Sequence, residues 1–146
     1  MTEYGRRIVI DSGFEAAVGE VSRAIRDEGM QTIAQIDVRG SFLRELGRDF
    51  RQYVLLEAWS PALAFDALRT DLDAGTIFPT TFAIYELADG ETAVMVKQPL
   101  APVAVQPDWQ RHAPGLARIA ERQSECAAHV LERLQHMSRA HAVPTA

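Results

Sequence analysis

The stretch Phe78-Pro79-Thr80-Thr81-Phe82-Ala83-Ile84-Tyr85-Glu86-Leu87-Ala88-Asp89-Gly90-Glu91-Thr92-Ala93-Val94-Met95-Val96-Lys97 decides the fold. Two runs rich in β-branched and aromatic residues flank Ala88-Asp89-Gly90-Glu91. Asp-Gly between alternating hydrophobic residues is the strongest short-range signal for a hairpin. The spacing therefore predicts strands over 78–87 and 92–97, joined antiparallel. Any sheet that contains them is mixed or antiparallel.

Working upstream, Ser60-Pro61 reads as a helix start, a hydroxyl N-cap followed by proline where its missing N–H costs nothing. Leu63, Ala64, Ala67 and Leu68 give this helix an apolar face, and Gly75 follows its end. Arg51 to Trp59 is the strongest strand. Tyr53, Leu55, Glu57 and Trp59 point one way along it, and Gln52, Val54, Leu56 and Ala58 the other. Both sets are substantially apolar, whereas a strand with one solvated face alternates apolar and polar. The second face of the sheet is therefore expected to be covered, by a loop or by another subunit.

Further upstream, Val38 to Leu46 is a short helix ended by Gly47, with Phe42, Leu43 and Leu46 on one side. Gln31 to Ile36 is a strand. Before it, Phe14, Ala17, Val18, Val21 and Ile25 have helical spacing. Ser12 with Glu15 is a capping-box signature for this helix, and Gly29 is its stop. Arg6 to Ile10 is a first strand. Downstream, Pro99, Pro102 and Pro107 make Gln98 to Trp109 an extended connection. A long helix then runs from about Pro114 to Arg139, its stripe apolar except at Gln123. The order β-α-β-α-β-α-β-β-α predicts a two-layer α+β sandwich with a five-stranded mixed or antiparallel sheet and three long helices on one face. Residues 5–139 are expected to form one domain and 140–146 a disordered tail.

The chain has 146 residues, 47% hydrophobic and 24% charged, the composition of an ordinary globular domain. Twenty acidic against fifteen basic residues give a net charge of −5. That disfavours a binder of nucleic-acid phosphates. No apolar run is long enough to cross a bilayer. The first residues carry no secretory core, so a cytoplasmic location and no membrane partner are expected. The single cysteine, Cys126, excludes an internal disulfide and a multi-cysteine zinc site.

The segment Ala58-Trp59-Ser60-Pro61-Ala62-Leu63-Ala64-Phe65-Asp66-Ala67-Leu68 is followed by Asp71-Leu72-Asp73-Ala74-Gly75, by Phe78 to Glu86 and by Ala88 to Thr92. Together these resemble the domain-of-unknown-function family 302, with its "PxLAxxAL" helix start, D-x-x-x-G turn, "vvYE" strand and "dGkT" hairpin. The resemblance runs roughly from Ile8 to Leu134. It implies a small, dimeric α/β sandwich and brings no established activity. It also implies that many members carry cysteines where this chain has Trp59 and Thr80, so thiol chemistry at those two positions is closed to this protein.

Candidate chemistry is sparse. Cys126 and His129 share a helix face, with His136 one heptad further on, but they fall short of the ligand set that zinc needs, and no metal is expected. No sequence motif calls for a cofactor. Glu57 lies mid-strand among apolar residues, where a carboxyl can serve as a general acid. Ser60 starts a helix whose N–H groups favour an anion, but His112, the first histidine, is far along the chain and forms no triad motif with it. Arg39, Arg44, Arg48 and Arg51 read as a solvated face, and Tyr53, Trp59, Phe82 and Tyr85 as core aromatics. The expectation is a homodimeric binding or accessory domain without catalysis. Trp59, Ser60, Thr80 and Glu57 would contact a small anionic ligand. The alternative is an enzyme acting on a small anionic substrate with Glu57 as acid and base.

Overall fold

The computed structural model describes residues 5–88, 90–97 and 114–141. In chain order these form β1 (Gly5–Ile10), α1 (Phe14–Asp27), β2 (Gln31–Asp37), α2 (Val38–Leu46) and β3 (Tyr53–Trp59). There follow α3 (Pro61–Thr70), a 3-10 turn (Leu72–Thr76), β4 (Thr80–Glu86), β5 (Thr92–Lys97) and α4 (Pro114–His141). The five strands form one sheet in the order β1-β5-β4-β3-β2. Every pair is antiparallel, which resolves the mixed-or-antiparallel alternative. The proline-containing connection 98–109 and the tail beyond His141 lie outside the described residues.

The core lies between one sheet face and two helices. Val21 and Ile25 of α1 and Val130, Leu131 and Leu134 of α4 are buried against Ile10, Leu56, Phe82, Ile84 and Val94. Burying side chains of this size removes about 1.5–3 kcal/mol each from the cost of exposure. The third long helix is α3. It packs with α4 and the 3-10 turn around a second, smaller core of Ala64, Ala67, Ala74, Phe78 and Leu116. The physical reason is its apolar face: small alanines bring it close to α4, and Pro61 starts it at the very end of β3.

The start of α1 differs from the capping-box expectation. Its N-cap is Gly13, without a side-chain cap, because the Ser12 hydroxyl instead donates to Glu20 at 3.1 Å. Its end is as expected. Gly29 has φ +74°, its N–H donates to Arg26 and the Met30 N–H donates to Ile25, a Schellman closure that buries Met30. In the β4–β5 hairpin, the Glu91 N–H donates to the Ala88 carbonyl and Gly90 has φ +79°. A β-branched side chain is strained there, so Gly90→Val should cost about 1–3 kcal/mol, read as a lower urea midpoint at unchanged slope.

The other face of the sheet carries Tyr53, Leu55, Glu57 and Trp59 of β3 beside Thr81, Ala83 and Tyr85 of β4. Tyr53, Leu55, Tyr85 and Met95 are half-buried there, and Val9 and Ile36 are exposed. At one end a chain of rings runs from Phe42 of α2 through Phe50 to Tyr53, which stacks on Tyr85 at 5.2 Å and 8°.

Candidate functional site

The antiparallel pairing of β3 and β4 sets Ala58 opposite Thr80, which brings Trp59, Ser60 and Thr80 to one corner of the sandwich. Ser60 caps α3, its hydroxyl accepting from the Leu63 N–H at 3.4 Å. The residue that ties the corner together is Gln123 of α4, only 2% exposed. Its Oε1 accepts from the Ser60 N–H at 3.0 Å. Its Nε2 donates to the Phe78 carbonyl at 2.5 Å and to the Thr80 hydroxyl at 3.2 Å. One buried amide thus satisfies the end of β3, the start of β4 and the start of α3. No motif in the sequence marks Gln123 as a site residue. Its signal was there all the same, as the one polar position in the apolar stripe of the last helix.

These bonds decide what the corner can do. Thr80 is 5% exposed, and its hydroxyl faces the interior. The Ser60 and Leu63 N–H groups are spent on Gln123 and on the Ser60 hydroxyl, so neither is left for an anion. Trp59 is half-buried, packed against the second core. Glu57 stands apart from this knot. It is half-buried on the other sheet face and accepts from the Thr81 hydroxyl at 2.7 Å, directly across the strands. The structure therefore separates the four candidates: Thr80 is bound into the interior, Ser60 is half-buried with its N–H and hydroxyl engaged, and Glu57 and Trp59 remain partly accessible.

The histidines and the cysteine lie elsewhere. α1 and α4 flank an open groove of about 480 Å³ lined by Glu28, His129, Arg133 and His136 among others. His129 is 3.5 Å from Glu28, and Arg133 also pairs with Glu28. Cys126 packs against the main core instead. Among the described residues no three His, Cys, Asp or Glu side chains gather as metal ligands would. Burial, then the negative charges of Glu28 and Glu125, push the Cys126 thiol above its ordinary value. Alkylation with iodoacetamide at pH 8 is therefore expected to run slower on the folded protein than on the urea-unfolded chain, since only the thiolate reacts. Equal rates would show that the thiol is neither shielded nor shifted. Among the described residues, no helix is long and apolar enough to cross a membrane.

An antiparallel five-stranded sheet backed by α1 and α4, with α3 locked to the last helix by a buried amide, defines a small α+β sandwich. The chain belongs to the family described as "Domain of unknown function DUF302", whose model matches residues 7–138. A similar solved structure is that of an uncharacterized conserved DUF302 protein from Bacillus stearothermophilus, at 23% identity and a TM-score of 0.74. The alignment covers 91% of this chain and 99% of that one. No curated protein matches the sequence.

Proposed function

We propose that the protein is a homodimeric binding module without catalysis, and that its ligand site is the half-buried sheet face that carries Trp59 and Glu57. The observation that supports this is the Glu57–Thr81 pair. It is a carboxylate held at 2.7 Å by one hydroxyl on a half-buried face. A carboxylate has further acceptor sites to offer. Leu55, Trp59 and Ala83 give the same face an apolar floor. The fitting ligand is a small molecule with an apolar body and a hydrogen-bond donor, because Glu57 offers acceptors while two donors at the start of α3, the Ser60 and Leu63 N–H groups, are committed to Gln123 and to the helix cap.

A thermal-shift screen of small amines, amides and carboxylates tests it. The reading expects a hit among the donors whose shift is lost in Glu57→Gln and in Trp59→Ala, with the hit recovered unchanged after incubation. Hits confined to carboxylates and insensitive to Glu57 would overturn it. Conversion of the hit, abolished in Glu57→Gln, would establish instead the enzyme reading, in which Glu57 moves a proton.

A further inference from the structure

We infer that two copies of this chain meet through the shoulder formed by β2, α2 and the turn to β3. This rests on the homodimer reading above and adds where the copies touch. Nine large apolar side chains are exposed among the described residues. Six of them, Ile33, Ile36, Phe42, Leu43, Leu46 and Phe50, fall within residues 33–50. Leu43 and Leu46 are 57% and 64% exposed, and α2 buries none of its nine residues. A helix this short is marginal in water and depends on packing an apolar side. Here the apolar side of α2 looks outward, apart from the edge contact of Phe42 with Phe50.

The occupant is argued from charge and area. Residues 31–50 carry Asp37, Glu45 and Asp49 against Arg39, Arg44 and Arg48, so the shoulder is neutral on a chain of net charge −5. A two-fold contact sets a patch against itself, and a patch of one sign would repel its copy. A balanced rim lets an arginine of one copy meet an acid of the other, as Arg39 and Asp49 already do within one copy at 3.1 Å. The six side chains expose on the order of 500 Å² per copy, or about 1,000 Å² for a pair, the size at which specific contacts begin.

The opposite edge of the sheet does not offer this. β1 presents Arg6 and Arg7, charges of the kind that discourage edge association. β2 carries no charged residue from Gln31 to Ile36, but its register shifts between Thr32 and Ala34. That bulge breaks the regular ladder, so the copies meet through side chains, α2 against α2, and not by adding strand to strand.

Light scattering on wild type, on Leu43→Glu with Leu46→Glu, and on Leu72→Glu tests the inference. Leu72, at 86% exposure, lies outside the shoulder and serves as the control. Wild type and Leu72→Glu should be dimers at 10 µM concentration, on the order of a typical assay, while the double variant dissociates at least about tenfold more readily with unchanged far-UV circular dichroism. A double variant that remains dimeric would overturn the shoulder and leave the homodimer reading standing. A wild type monomeric at every concentration would overturn both. Should the double variant fail to fold, Leu46→Cys in a Cys126→Ser background keeps the question open to measurement. A short bis-maleimide should join its copies in high yield, and dimers that resist joining would refute the shoulder. Slow hydrogen exchange along the outer edge of β2 would refute the side-chain mode in favour of strand addition.

Discussion

Replacing Gln123 with leucine is expected to lower stability by about 3 kcal/mol, although leucine fills nearly the same volume. The change leaves the Ser60 N–H, the Phe78 carbonyl and the Thr80 hydroxyl without the amide that serves all three. A buried donor or acceptor stripped of its partner costs about 1–3 kcal/mol, and the Thr80 hydroxyl can turn to soften its share. Urea unfolding followed by circular dichroism measures the loss. Adding Thr80→Val to Gln123→Leu should recover part of it, because one orphaned hydroxyl is then gone. Simple additivity of the two substitutions, or a loss well under 1 kcal/mol for Gln123→Leu, would mean that water replaces the amide and that the knot does not hold the corner.

Trp59→Ala is expected to cost about 2–3 kcal/mol, less than the 3–5 kcal/mol of a fully buried aromatic because Trp59 keeps part of its ring in solvent. The loss comes from the second core, where Trp59 packs against the cluster of Ala64, Ala67, Ala74, Phe78 and Leu116. That core is small and rich in alanine, so it has little bulk with which to close the cavity left behind. A full 5 kcal/mol would mark Trp59 as a plug of the interior with nothing to offer a ligand. A loss below about 1 kcal/mol would mean that the ring lies on the surface and is not anchored for binding.

The elements were readable wherever local chemistry alone fixes them. Gly47 and Gly29 end their helices, Ser60-Pro61 starts α3, and the predicted limits of α2 and β5 match the observed ones. The pairing of β3 with β4, and hence the nearness of Trp59 and Thr80, has no local signal, because the predicted hairpin joins only β4 and β5. Local signals failed where a tertiary partner took the group they rely on. Ser12 carries the capping-box pattern, yet its hydroxyl goes to Glu20. The candidate site divided for the same reason. Ser60 and Thr80 present hydroxyls of similar promise in the sequence, but Gln123, more than forty residues further on, takes the Ser60 N–H and the Thr80 hydroxyl, while the Ser60 hydroxyl stays on the helix cap.

Strand β1 is the earliest of the described strands, and among them it has one neighbour, β5. Ile10 pairs with Thr92, so closing this edge of the sheet means bringing together segments separated by about 80 residues. The other pairings span far shorter stretches and can form while the chain is still being made. β1 leaves the ribosome before any of them and has nothing to bind until the final hairpin is complete. Its Arg6 and Arg7 suit that interval, because they keep a waiting strand from joining the wrong edge. The order of synthesis and the order of assembly therefore run in opposite directions for this strand.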